Sequence, residues 1–154
     1  ASTNGTIDAC QLSIFTHQEC PFRLPDMPLP QCNTGFVYML ISTRDFSFSY
    51  IGETYNIGVR LNQHNSGNGS DTTCPLSLRP YALFAYVCGF DGNQILRRRF
   101  ESMWKARRDL ERMRGMNCVK QIARLAAAII PSNEDSYDIE LVFVINFEVS
   151  NKNV

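Results

Sequence analysis

The sequence predicts an α/β (α+β) domain with a small central antiparallel sheet of about three strands, flanked by helices. Two apolar runs, Phe36–Ser42 and Ser47–Thr54, are separated only by the polar Thr43-Arg44-Asp45, so a hairpin is the economical connection. A third run, Tyr81–Phe90, is nearly all apolar, as expected of a strand covered on both faces. Helix-like stretches with start and stop signals follow the second and third runs.

Taken in order, residues 1–34 read as an arm, polar at first and then proline-rich, with Pro25, Pro28 and Pro30 favouring an extended path. Residues 35–149 form the domain and 150–154 a tail. Along the first strand Phe36, Tyr38 and Leu40 share a face; along the second, Phe48, Tyr50 and Gly52 do. Gly52 inside a strand marks a bulge or a close backbone approach. Asn56 can cap a helix over Ile57–Asn65, and Gly67 can end it. Ile57 and Leu61 form its apolar side, while Arg60 and His64 lie one turn apart. The run Ser66–Thr73 reads as a flexible loop. Asp91-Gly92 turns the chain into a long amphipathic helix, Gln94–Arg114, with Leu96, Phe100, Met103, Leu110 and Met113 as its core stripe and Gly115 as its stop. Asn117 can cap a further helix to Ile130, halted by Pro131. After the acidic turn from Ser132 to Tyr137, Ile139–Val149 reads as a final strand.

A chain of 154 residues with 44% apolar side chains fits one globular domain. The formal net charge is +0, so any anion-binding face must come from local clustering. Six cysteines, at 10, 20, 32, 74, 88 and 118, show neither C-x-x-C nor zinc spacing. Cys88 and Cys118 read as small buried hydrophobes, and free thiols in a reducing, intracellular compartment are the favoured expectation; Cys10, Cys20 and Cys32 have the option of pairing. No run is long enough to span a bilayer, and no signal peptide is visible at the start.

Five side chains stand out as a possible site. Glu101 is the only carboxylate in the first half of its helix, beside Arg97, Arg98 and Arg99, and suits a hard divalent cation. Arg60 offers a planar fork for a phosphate oxygen. His64 can relay a proton or hold a phosphate. Tyr38 and Tyr50 can orient or deprotonate water if their acidity is tuned. Each has an ordinary alternative: a solvated Glu offsetting three arginines, a surface Arg or His, and core aromatics.

Their joint spacing resembles the GIY-YIG nuclease superfamily. There a tyrosine closes a short strand, a second strand begins Tyr-Ile/Val-Gly, an arginine follows ten residues later and often a histidine four after that, and a glutamate lies on the helix after the third strand. Tyr38 stands for the first motif, with Phe36 in place of its glycine; Tyr50-Ile51-Gly52 is intact; Arg60, His64 and Phe100-Glu101 fall where the pattern asks. The resemblance runs from about Gly35 to Lys105. Within the superfamily the chain looks most like the catalytic subunit of eukaryotic endonucleases that resolve branched DNA, in GVRLNQHNSG and in Arg99-Phe-Glu-x-x-Trp104. It lacks the cysteine pattern of that subunit's RING-type domain, which docks a scaffold protein. Glu53 also stands where some relatives have a lysine.

The resemblance implies a DNA endonuclease in which Glu101 binds Mg²⁺ or Mn²⁺. Tyr38 or Tyr50 activates the water, Tyr38 being preferred; Arg60 stabilises the transition state and His64 assists proton movement. Asn117 is a weak counterpart of a later family asparagine. Arg97, Arg98, Lys105, Arg108 and Arg79 are the expected DNA contacts, low in sequence specificity and sensitive to salt. DNA is the expected partner, a protein scaffold a possible one, a membrane none, and the nucleus the expected site if the host is eukaryotic. Branched or flap DNA is the leading substrate. Alternatives are a nicking domain of a mobile element or a homing or restriction-type enzyme, an inactive nucleic-acid-binding module, and an interaction domain using the arm.

Overall fold

The computed structural model describes residues 34–130 and 137–144. Residues 1–33 of the arm, 132–136 of the acidic turn and 145–149 of the predicted last strand lie outside the described residues.

Four strands, β1 (Phe36–Ser42), β2 (Ser49–Thr54), β3 (Tyr81–Cys88) and β4 (Glu140–Phe143), form one antiparallel sheet in the order β2-β1-β3-β4. Helix α1 (Ile57–Asn65) follows β2, and α2 (Gln94–Met113) and α3 (Val119–Ile129) follow β3. The predicted class holds, and the extra C-terminal strand joins the sheet beside β3.

Period-two alternation along β1 divides the interior. Val37, Met39 and Ile41 join Ile51, Phe84 and Val87 under Phe100, Trp104, Ile122 and Ala126 of the long helices. Phe36, Tyr38 and Leu40 face the other way, with Ile57, Tyr81 and Leu83, and with Phe48, Tyr50 and Leu61 packed alongside. The β1–β3 register shifts between Met39 and Leu40, leaving Phe84 as the extra residue of a bulge.

Caps explain where the helices begin and end. The side chains of Asn56 and Asn93 accept from the amides of Val59 and Leu96. Both α1 and α2 end in Schellman motifs. Gly67 (φ +88°) donates to the carbonyl of His64 and Asn68 to that of Gln63; Gly115 (φ +92°) donates to the carbonyl of Arg112 and Met116 to that of Glu111.

Several expectations need correction. Strand β2 starts at Ser49, because residues 45–48 are spent on a turn in which Phe48 N–H donates to the carbonyl of Asp45 and Ser47 N–H to its side chain. Strand β3 stops at Cys88, before Gly89 takes φ +98°. Leu110 and Met113 are 43% and 85% exposed and are not core. The buried row of α2 is Leu96, Arg97, Phe100 and Trp104, and Trp104 Nε1 donates to the carbonyl of Ile122 at 2.9 Å, fixing α2 to α3. A 20-residue helix is about 30 Å long and outruns strands of seven or eight residues. Helix α3 is capped by Cys118 without a side-chain bond, so Asn117 is not its cap. Cys118 is disulfide-bonded, against the expectation of a free thiol, and its partner lies outside the described residues; Cys74 and Cys88 are reduced.

Candidate active site

His64 is the centre of the α1 face. It is fully buried, and three tyrosine rings surround it: Tyr50 with its centroid 4.9 Å away, Tyr38 at 6.0 Å and Tyr81 at 6.4 Å. Its Nε2 lies 2.9 Å from the Tyr38 hydroxyl and its Nδ1 lies 2.6 Å from the Thr73 hydroxyl. Burial, and secondarily the charge of Arg60, push the imidazole pKa down to about 4, so it is neutral at pH 7. One ring nitrogen then carries the proton and the other a lone pair.

Tyr38 reaches this position because β2 makes room for it. A Cβ on Gly52 would fall 2.6 Å from the Tyr38 hydroxyl and 3.0 Å from the Tyr50 ring. The glycine predicted as a close approach is therefore the slot that the two tyrosines share. Burial raises the Tyr38 pKa well above the usual phenol value; Arg60 works against this, while Tyr50 and Glu101 add to it. Tyr38 is thus a protonated phenol at neutral pH. It also feels both the Arg60 guanidinium and the Glu101 carboxylate, one from α1 and one from α2.

Arg60 Nη1 donates to Gln63 Oε1 and Nη2 to the carbonyl of Gly69, each at 2.8 Å. Gly69 also lies against His64, where a Cβ would come within 2.3 Å of Nδ1. The run Ser66–Thr73, expected to be a flexible loop, folds back over α1 with Thr73 fully buried. Tyr81 Oη donates to the carbonyl of Thr73 at 2.8 Å. Arg79, a predicted DNA contact, instead donates to the carbonyls of Asn65 and Cys74 and is half-buried.

Glu101 lies one turn along α2 from Arg97, half-buried, with Lys105 Nζ 3.0 Å from its carboxylate. Among the described residues no group of three or more acidic, histidine or cysteine side chains gathers in metal-binding fashion. A single carboxylate is still adequate for Mg²⁺, which keeps most of its waters and takes further ligands from a substrate phosphate. The half-buried Glu101 carboxylate offers the oxygen donors that such a cation takes.

Arg97 is not available to DNA. It is fully buried beneath the Tyr55 ring, 4.1 Å from its centroid, with Nε donating to Glu53 at 2.7 Å. A Cβ on Gly35 would collide with its guanidinium. Glu53, which departs from the family pattern, thus has a partner: it ties the end of β2 to α2, four residues before Glu101. Exposed Arg98 also binds Glu53, at 3.3 Å. Lys105, Arg108 and Arg112 continue the side of α2 that carries Glu101; Arg108 pairs with Asp109, and Arg112 donates to Ser49 Oγ on β2. Asn117 is exposed and outside this cluster.

The structure brings Tyr38, Tyr50 and His64 into contact, with Arg60 tied to Gly69 beside His64. Glu101, by contrast, is hydrogen-bonded to none of them and is the smallest of the charges felt by Tyr38. Thr73, Gly69 and the Glu53–Arg97 pair were missed. A threonine in a glycine- and serine-rich loop carries no periodicity, and only the closeness of Gly67 and Gly69 to the end of α1 hinted that the loop doubles back.

Residues 34–117 match the GIY-YIG catalytic domain family. No curated protein matches the chain. No described helix is long and apolar enough to cross a membrane.

Proposed function

The chain belongs to the GIY-YIG family, and on that premise we propose that it is a DNA endonuclease, metal-dependent and selective for branched or flap structures rather than sequence. The observation that carries the reading is the Tyr38 phenol, 2.9 Å from a neutral, buried imidazole and under the charges of Arg60 and Glu101.

Tyr38 cannot serve as a standing phenolate, because burial keeps its proton on. It can pass a proton. As the attacking water bonds to phosphorus, its proton moves to the Tyr38 oxygen and the phenolic proton moves to His64 Nε2. The bond from phosphorus to the leaving sugar oxygen breaks, and that oxygen takes a proton from solvent. Arg60 donates to a nonbridging phosphate oxygen, exchanging its bond to exposed Gln63 for one to substrate. Glu101, released from Lys105, would hold the divalent cation, whose charge offsets the negative charge gathering on the phosphate. His64 acts through the Tyr38 hydroxyl that its Nε2 meets rather than on the phosphate, and the attacking water reaches that hydroxyl once substrate binding uncovers Tyr38, itself 1% exposed. Tyr50, its ring tilted against that of His64, orients the pair. Arg98, Lys105 and Arg108 supply phosphate contacts that weaken with salt.

The test is cleavage of a panel of flaps, forks, junctions, linear duplex and supercoiled plasmid, with Mg²⁺, Mn²⁺ or EDTA, by wild type and Glu101→Gln. Cutting at branch points that needs metal and is lost in Glu101→Gln is the expected result. Nicking of plasmid with no preference for branches would favour a mobile-element or restriction-type nuclease. Salt-sensitive binding without cleavage would make this an inactive binding module, and absence of both would point to an interaction domain. Activity unchanged in Glu101→Gln would overturn the metal assignment.

A further inference from the structure

Resting on the nuclease reading, we propose that Thr73 is a positioning residue that fixes the tautomer of His64, leaving the Nε2 lone pair on the Tyr38 phenol. Proton transfer from Tyr38 needs that lone pair, because an Nε2–H would face the phenol with a donor and block it.

Three contacts argue for this assignment. Thr73 Oγ1 sits 2.6 Å from His64 Nδ1, close enough to make a dedicated bond and fully enclosed. The threonine hydroxyl has its own outlets: Ser70 Oγ at 3.0 Å and the Ser70 carbonyl at 3.4 Å. A hydroxyl that gives its proton to Ser70 turns its lone pair toward Nδ1–H, and the chain then runs His64 Nδ1–H to Thr73 to Ser70. The backbone holds Thr73 in place from two sides, through its N–H to Ser70 Oγ at 3.2 Å and its carbonyl to Tyr81 Oη at 2.8 Å. The loop after α1 would therefore belong to the catalytic apparatus, holding Arg60 with one carbonyl and His64 with one hydroxyl.

When His64 takes the phenolic proton it becomes an imidazolium with Nδ1–H already on an acceptor, so the new charge is hydrogen-bonded at the moment it forms. No ring flip or hydroxyl rotation stands between the resting and reacting states.

The experiment compares wild type with Thr73→Val, which keeps the shape and removes the hydroxyl, and Thr73→Ser, which keeps the hydroxyl. ¹⁵N NMR of the histidine side chains, with His64 assigned by its loss in His64→Gln, reads the tautomer without any turnover. Wild type should show the Nδ1–H form and Thr73→Val a mixture. With DNA, Thr73→Val should lose about tenfold or more in kcat with KM unchanged, and Thr73→Ser should recover most of it. An Nε2–H tautomer in wild type, or full kcat in Thr73→Val, would overturn the proposal. So would loss of kcat in Thr73→Ser equal to that in Thr73→Val. A wild type that cuts no DNA would sink the nuclease reading, while the NMR comparison would still decide the tautomer. Should Thr73→Val not fold, the wild-type spectrum and Thr73→Ser carry the decision.

Discussion

The two faces of β1 are equally buried and chemically opposite. All seven residues of the strand are inaccessible, yet Val37, Met39 and Ile41 join an apolar cluster with side chains of α2 and α3, whereas Tyr38 meets an imidazole, a phenol and a glycine slot. One side is held by area and close packing; the other is held by area plus a hydrogen-bonded row, Tyr38 to His64 to Thr73 to Ser70. Burial alone therefore does not separate a core from a site. What separates them is a connected row of polar side chains taken out of water, each the partner of the next.

A pair of neighbouring substitutions should break the two faces apart. Tyr38→Phe keeps the ring and deletes the hydroxyl, leaving His64 Nε2 without its partner, at about 1–2 kcal/mol. Its cost in DNA cleavage should be far larger, about 10²–10⁴-fold in kcat. Met39→Ala removes a fully buried side chain from the helix-covered face and should destabilise by about 2–5 kcal/mol. At temperatures well below its melting point its kcat should stay near wild type. Urea unfolding and a cleavage assay on the same preparations give both numbers. Should Met39→Ala lose activity and Tyr38→Phe keep it, the assignment of faces would be reversed.

The alternation that builds both faces was legible in the sequence. Period two alone places Phe36, Tyr38 and Leu40 on one face of the first strand and Phe48, Tyr50 and Gly52 on one face of the second, and these two rows meet on the same side of the sheet. The spacing of Arg60 and His64 sets them one turn apart on a helix that runs, as Asn56 and Gly67 signal, from Ile57 to Asn65. Local chemistry dictates those features. What stayed hidden is set by contacts across the chain. Nothing near Arg97 announces that it will be buried, because its partners Glu53, Tyr55 and Gly35 are more than forty positions away. Leu110 and Met113 keep the helical period but lie beyond the buried row that ends at Trp104, which no periodicity can report. The disulfide at Cys118 shows no spacing motif either.

The Glu53–Arg97 pair sharpens the comparison, because it crosses from the end of β2 to the helix of the core face. A buried guanidinium stripped of its carboxylate is costly, so Glu53→Ala should destabilise by about 3 kcal/mol or more. It should also slacken the turn of α2 that precedes Glu101, lowering kcat several-fold although residue 53 touches no substrate. Combining Glu53→Ala with Arg97→Met removes the stranded charge and should recover stability. Thermal melts of the two single variants and the double variant test this. Additive losses in the double variant would show that the two side chains do not depend on each other.

The smallest effect is a slope rather than a step, and it belongs to the α1 face alone. Burial and Arg60 lower the His64 pKa to about 4, against about 6.5 in an unfolded chain. Between those values the unfolded chain takes up a proton that the native protein refuses, so stability falls as pH falls from 6.5 towards 4 and is fully present above 6.5. The integrated loss is roughly 2–3 kcal/mol. His64→Gln removes this titration, and its stability should vary less across the same window. Carboxylates titrate alike in both proteins, so the difference between the two pH curves isolates the imidazole. Met39→Ala, by contrast, should give a curve parallel to wild type and displaced downward, because an apolar truncation changes the area buried and not the protons bound. Parallel curves for wild type and His64→Gln would mean that the native imidazole ionises as freely as in water. The closed box of Tyr38, Tyr50, Tyr81 and Thr73 around it would then have to open in solution.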